Sequence, residues 1–381
     1  MTDRIRQFLR DRREDGPCVV LDLEVVRDNY FAFSRALPDT RVFYAVKANP
    51  APEILRLLAR LGSCFDCASV AEVEMALAAG ATADRISFGN TIKKERDIAR
   101  ALELGIRLLA VDCEAEVDKV SRAAKLTGAE DVRVFCRILC DCAGAEWPLS
   151  RKFGCTPEMA VSVLEHAFRG GLEPYGVSFH VGSQQGNVNA WDVALAAASS
   201  VFRECAVRGM NLSMVNLGGG FPARYLRQVP GVPAYGEAIF QALSKHFGNR
   251  LPETIIEPGR GMVGDAGLIE TEVVLVSKKG HDEELRWVYL DIGKFGGLAE
   301  TMDESIRYPI RTPRDGGAMT PCVLAGPTCD SADVLYEKTP YMLPVSLEIG
   351  DKLLIEGTGA YTTTYSAVAF NGFPPLKQYV I

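Results

Sequence analysis

Apolar residues run along this chain in short blocks, separated by amphipathic stretches. From residue 25 onward, eight blocks read as buried strands, at 42–47, 64–67, 86–89, 107–111, 132–139, 176–181, 213–217 and 254–257. A helical pattern, "VVRDNYFAFSRAL", precedes the first of them. Between later strands lie "APEILRLLARLG", "SVAEVEMALAAG" and "KKERDIARALELG", each apolar at spacings of three and four and each ending on glycine. A doubly wound sheet would show the same alternation, but eight units in about 230 residues favour a closed (β/α)8 barrel of the TIM type. After Gly261 the rhythm changes. "LIETEVVLVSKKG", "LRWVYLDIG", "PCVLAG" and "DKLLIEGTGAY" are strand-like and divided by Gly, Pro and Asp, which predicts a separate β domain, a sandwich or small barrel. An early strand-like run, "PCVVLDL", precedes the barrel. The expected division is therefore a barrel over 25–265, with 1–24 and 266–381 forming the β domain.

Composition narrows the function classes. The chain has 381 residues and a net charge of −7, which argues against nucleic acid or anionic membrane as the main partner. No run of about twenty apolar residues predicts a membrane span. The N-terminus "MTDRIRQFLRDRREDG" is charged and amphipathic, unlike a secretory signal, so a cytoplasmic location is expected. Eleven cysteines are scattered. Cys64 and Cys67 form one CxxC without a second pair, and "CDC" at 140–142 is too tight for a usual metal site, so no metal is expected. Reduced thiols in small core positions fit the pattern best.

A barrel places its chemistry at the C-terminal ends of its strands, and those ends carry polar residues here. Lys47 closes the apolar run "RVFYAVKANP". A lysine reaching water at a strand terminus is the plain alternative; in a partly dry pocket its amine would lose its proton more readily and attack a carbonyl. Asp66 ends the second strand in "CFDCAS", His180 the sixth in "FHVGSQ", and Glu257 the eighth in "EPGRG", followed by Arg260. The seventh runs into "NLGGGFP", where Gly218, Gly219 and Gly220 let backbone N–H groups approach an anion. A turn would also explain the glycines, and a surface ion pair the Glu257 and Arg260 charges. A phosphate cradle, a lysine and a carboxylate on one rim together suggest pyridoxal phosphate, with Lys47 forming a Schiff base and Glu257 keeping the ring nitrogen protonated.

The motifs "YAVKANP", "FDCAS", "SRKFG", "FHVGSQ", "GGGFP", "EPGR", "GPTCDSAD" and "GAYT" occur in one order along essentially the whole chain. In this the sequence resembles the pyridoxal-phosphate decarboxylases of the alanine-racemase-like fold, in their ornithine/lysine decarboxylase branch. The resemblance implies a Schiff base at Lys47, ring stacking by His180, and phosphate contacts from Ser183, Gly218 to Gly220, Arg260 and Tyr361. It implies that Glu257 meets the pyridine nitrogen, and that Asp66, Glu72 and Arg137 line the cofactor site. It also implies a head-to-tail homodimer with shared active sites, in which Cys329 and Asp330 of "CDS" act in trans and Cys329 protonates the substrate Cα.

The reaction implied is decarboxylation of L-ornithine to putrescine, with L-lysine to cadaverine as the further reaction left open. A basic substrate tail needs a carboxylate near its distal ammonium. Asp330 is the first candidate, and Asp303 or Glu304 the second by resemblance to eukaryotic ornithine decarboxylases, although an acidic helix start facing solvent would read the same. Diaminopimelate decarboxylase is the nearest rival, but its corresponding segment usually reads "CES", and its substrate's distal carboxylate would be repelled here. Arginine decarboxylases of this fold are usually longer chains, and alanine racemase lacks the "CDS" segment. A catalytically silent homologue, like the antizyme inhibitors, is the alternative of a different class; the presence of all the residues named above argues for an enzyme.

Overall fold

The computed structural model describes residues 1–147 and 151–381. Two compact units are present, one made of Met1–Val26, Ala223–Gln228 and Met262–Ile381, the other of Arg27–Pro222 and Val229–Gly261.

The second of these is a closed barrel of eight parallel strands. In chain order they are β1 (Thr40–Ala45), β2 (Cys64–Cys67), β3 (Ile86–Phe88), β4 (Leu108–Val111), β5 (Arg133–Arg137), β6 (Glu173–Ser178), β7 (Met214–Asn216) and β8 (Glu253–Ile256). Each pairs with its neighbours in sequence, and β8 closes on β1 in the register Thr254↔Thr40. All eight apolar blocks are strands, as their length and apolar character predict. The interior holds one packed layer of Phe43, Cys64, Ala110, Phe135, Met214 and Ile255, drawn from six strands. Helices Pro52–Leu61, Val70–Ala78 and Glu95–Glu103 alternate with the strands. The glycines that end their patterns, Gly62, Gly80 and Gly105, all take positive φ, the conformation that turns the chain out of a helix.

The first strand is shorter at its end than its apolar run suggests. β1 stops at Ala45, and Val46–Ala48 form a single 3-10 turn that carries Lys47. The Ala45 N–H turns to the Pro258 carbonyl at 3.3 Å, and Asn49 closes the turn on the Val46 carbonyl at 3.1 Å.

The other unit is built on an eight-stranded, largely antiparallel sheet. The early run forms a strand, Cys18–Leu21, between Gly267–Ser277 and Lys377–Val380. Its core includes Val19, Ile269, Val288, Leu324, Leu343 and Ile355, the inward-facing positions of the sheet. Three of its strands, Ile310–Arg311, Val334–Pro344 and Lys377–Val380, have no counterpart among the predicted ones. No helix among the described residues is long and apolar enough to cross a membrane.

Candidate active site

Strand alternation builds the site. Cys64, Phe135, Met214 and Ile255 point into the barrel, and two residues further along each strand brings the chain back to the same face. Those positions are Asp66, Arg137, Asn216 and Glu257. An apolar plug therefore gives way to a polar layer toward the C-terminal rim.

Lys47 and Asp66 meet in that layer. The Lys47 Nζ lies 4.0 Å from Asp66 Oδ2, with the lysine side chain 48% exposed and the aspartate 4%. Burial raises the Asp66 pKa, and the Lys47 charge opposes that rise. Ser87 Oγ donates to Asp66 Oδ1 at 3.2 Å. Gly89 makes the seat possible, because a Cβ there would stand 1.9 Å from Asp66 Oδ1. Glu72 lies at the start of the helix that follows β2. It accepts from the Ala68 N–H at 2.7 Å, and burial raises its pKa.

Glu257 is held by the Asn216 amide, which donates to Oε1. Burial and then the neighbouring Asp66 push Glu257 up to about 7, with Lys47 and Asn216 pulling the other way. Lys47 and Arg137 both act on these two carboxyls, yet burial outweighs them and holds both pKa values up, an environment that fits a cationic heteroaromatic ring. His180 is driven well below its ordinary pKa by burial, then by Arg137 and Lys47, so its ring is neutral. The Gly182 N–H donates to its Nδ1 at 3.0 Å, which leaves the proton on Nε2.

A second cluster suits an anion. Arg260 is buried, and its Nε donates to Ser183 Oγ at 3.1 Å. Beside the strand ends, the loop after β7 lies flat on its neighbours. At Gly218, with φ +67°, a Cβ would come within 2.1 Å of the Phe179 carbonyl, and at Gly219 within 2.8 Å of the Glu257 carbonyl. Only glycine permits that approach. A buried guanidinium, a hydroxyl and a glycine loop fit a phosphate, and a buried carboxylate with a neutral imidazole fits a pyridinium ring. The residues expected to hold pyridoxal phosphate are therefore chemically suited to it. Arg137 stands over the Phe153 ring at 5.2 Å. Phe153 belongs to "SRKFG", whose Ser150 lies outside the described residues.

The remaining expected residues belong to the other unit. Cys329 is exposed, and its N–H donates to Asn371 Oδ1 at 2.7 Å. Asp330 is exposed and accepts from the Ala332 N–H at 2.8 Å. Tyr361 has φ +55° and its ring lies 5.8 Å from Tyr365. Asp303 and Glu304 also take positive φ, +52° and +58°. They differ in employment. Glu304 accepts from the backbone N–H groups of Glu337, Lys338 and Thr339 at 2.7, 2.5 and 3.1 Å and from Arg307 at 2.8 Å, whereas Asp303, 81% exposed, meets only the surface cation Lys338 among the partners resolved at its side chain, at 3.0 Å.

Sequence reasoning missed Asn216, Ser87 and Gly89, and also Asp333. The Asp333 carboxylate is buried and accepts from the Lys294 N–H at 2.7 Å and the Thr328 hydroxyl at 2.7 Å, which anchors the segment bearing Cys329. Of these, Asn216 alone carried a readable signal, since it sits on the inward face two residues beyond Met214.

Comparison with known proteins bears on this geometry. Residues 23–264 match the family described as "Pyridoxal-dependent decarboxylase, pyridoxal binding domain". The lysine/ornithine decarboxylase of Selenomonas ruminantium is 37% identical over 364 residues, 95% of this chain and 88% of that protein. The lysine/ornithine decarboxylase of Vibrio vulnificus, solved with cadaverine, superposes with a TM-score of 0.87 at 33% identity, covering 100% of this chain and 99% of that one. The arginine decarboxylase of Paramecium bursaria Chlorella virus superposes with a TM-score of 0.89 at 26% identity and covers 100% of both chains. Its length matches this chain's, so chain length does not separate arginine from the other basic amino acids.

Proposed function

Because the chain belongs to the pyridoxal-dependent decarboxylases, we propose that it converts L-ornithine to putrescine and CO2, with L-lysine to cadaverine as a second reaction. Pyridoxal phosphate is the cofactor, and when bound it supplies an electron sink for the pair left on Cα as CO2 departs.

The chain's own residues take defined parts in this reading. Lys47 Nζ would be the nucleophile that anchors the cofactor covalently. Glu257, oriented by Asn216, would keep the ring nitrogen protonated, and that charge would offset the burial that raises its own pKa. His180 offers a neutral flat face to the ring. Ser183, Arg260 and the backbone of Gly218 to Gly220 bind phosphate at one end, with Tyr361 completing that end and Asp66, Glu72 and Arg137 setting the field around Lys47. Cys329 returns a proton to Cα. Cys329 and Asp330 come from the partner subunit of a head-to-tail homodimer.

For the distal ammonium we choose Asp303 over Glu304. Glu304 is consumed by backbone N–H groups and Arg307, whereas Asp303 gives up only an exposed ion pair, which is worth little. Asp330 adds a second carboxylate. A long, flexible cation fits such a pair better than a carboxylate tail, which supports ornithine and lysine over diaminopimelate.

The observation that carries the reading is the layer of Lys47, Asp66 and Glu257, in which burial raises both carboxyls beside the lysine amine. The protein with pyridoxal phosphate, given equal L-ornithine, L-lysine, L-arginine and meso-diaminopimelate, should form chiefly putrescine with less cadaverine by mass spectrometry. Dominant agmatine, or lysine made from diaminopimelate, would reject the ornithine assignment. No amine at all with cofactor bound would favour a silent homologue.

A further inference from the structure

Two thiols in the barrel wall touch each other and take no part in the chemistry above. Cys136 Sγ and Cys155 Sγ lie 3.6 Å apart, both buried. Cys136 is on β5, paired to Val111 on one side and Val177 on the other, so it cannot shift. Cys155 sits where the chain returns beside that strand. Its N–H donates to the Arg137 carbonyl at 3.1 Å, and its thiol rests 3.6 Å from the same oxygen. Two residues earlier, the Phe153 ring lies beneath the Arg137 guanidinium at 5.2 Å. Between them, Gly154 is pinned by its N–H to Asp112 Oδ2 at 2.9 Å.

We propose that Cys136 and Cys155 form a reversible dithiol–disulfide couple that responds to a hydroperoxide and resets Arg137 at the barrel rim. The effect on the cofactor rests on the reading that Arg137 lines its site.

The chemistry balances. The Cys155 thiolate attacks the peroxide, so an S–O bond forms, the O–O bond breaks, and the released alkoxide, or hydroxide when the oxidant is hydrogen peroxide, takes up the thiol proton as an alcohol or water. The Cys136 sulfur then displaces hydroxide from the resulting sulfenic acid, forming the S–S bond, while its proton leaves in a water. The two thiols lose two electrons and the peroxide gains them. The two thiols share a hydrogen bond in which either sulfur can donate. That contact lowers the Cys155 pKa, and the contact and then burial raise that of Cys136.

A disulfide needs about 2.05 Å between sulfurs, so the pair must close by roughly 1.5 Å. Cys136 is held on both edges of its strand, and Cys155 is bridged beside it through its N–H on the Arg137 carbonyl and its carbonyl on the Leu139 N–H at 2.8 Å. The sulfurs therefore close by side-chain rotation with a small shift of residues 153–155, where Phe153 bears on the guanidinium of Arg137.

Trypsin makes the test direct, because cleavage at Arg133, Arg137 and Lys152 places Cys136 and Cys155 on different peptides, whereas Cys140 and Cys142 share one. The holoprotein is treated with hydrogen peroxide, its remaining thiols are blocked, and the digest is mapped without reductant. The expected result is a "VFCR" peptide joined to the peptide beginning "FGC", released by dithiothreitol, with a several-fold rise in the Kd for pyridoxal phosphate that Cys155→Ala does not show. Absence of that linked peptide, at peroxide doses that oxidise Cys329, overturns the proposal. A linked peptide with unchanged Kd overturns the coupling to Arg137. Failure of the reduced protein to bind cofactor would instead strike at the function proposed above.

Discussion

Asp66 Oδ2 lies 4.0 Å from Lys47 Nζ, and it can do so because residue 89 has no side chain. The amine comes from the 3-10 turn after β1 and the buried carboxylate from the adjacent β2, yet their meeting depends on a glycine just past the end of β3.

Gly89→Ala should therefore damage the site beyond its cost in stability. Its Cβ would stand 1.9 Å from Asp66 Oδ1, an overpacking that costs about 2–3 kcal/mol and dislodges the carboxylate. Gly80→Ala is the control. It carries φ +102° with nothing near its Cβ position, and should cost about 1 kcal/mol with cofactor binding intact. Denaturant midpoints and cofactor titration of both variants check this.

Glu257 gives a pH signature in the cofactor-free protein. Its folded pKa of about 7 lies above its unfolded value, so the folded state binds the proton more tightly. Stability from this group is present at low pH and is lost as pH rises from roughly 4.3 to 7. Glu257→Gln lacks that loss, so its advantage over wild type should grow to at most about 4 kcal/mol across the window. Urea unfolding of both apo proteins at several pH values checks it; parallel curves would contradict it. With cofactor the order reverses, and the variant's turnover should fall by roughly 10²-fold or more.

Much of this arrangement could be read in advance, for identifiable reasons. The barrel strands are short apolar runs buried on both faces, a local signal that needs no knowledge of the partner strand. Lys47 and Glu257 stand out because charge interrupts or ends such runs. Val334–Pro344 escaped because its middle, Glu337 to Thr339, is polar and exposed and Pro340 follows, so no continuous pattern marks it. Gly89 and Ser87 escaped for another reason: their importance lies in Asp66, more than twenty positions away. Glu304 and Asp303 look alike in sequence, and only backbone N–H groups from 337 to 339 tell them apart.

Those neighbours predict opposite phenotypes. Asp303→Asn should leave the melting temperature unchanged and raise KM for ornithine about tenfold, the effect of losing one charged hydrogen bond. Glu304→Gln should cost about 1–3 kcal/mol of stability through the contacts to residues 337 to 339. Thermal melts with steady-state kinetics separate the two, and an exchange of phenotypes would reverse the assignment.

Cys329→Ala should retain cofactor and fold, because Cys329 is exposed and, among the described residues, its hydrogen bond is made by the backbone N–H. Clean amine formation should drop by roughly 10²-fold. Normal turnover would remove Cys329 from the acid role.

The most direct test of the account is where the cofactor attaches. The holoprotein is reduced with borohydride, digested, and mapped by mass spectrometry. The account predicts one modified lysine, Lys47, and no modification in Lys47→Arg under the same treatment. Attachment at another lysine, such as the buried Lys93, or survival of the adduct in Lys47→Arg, would contradict it.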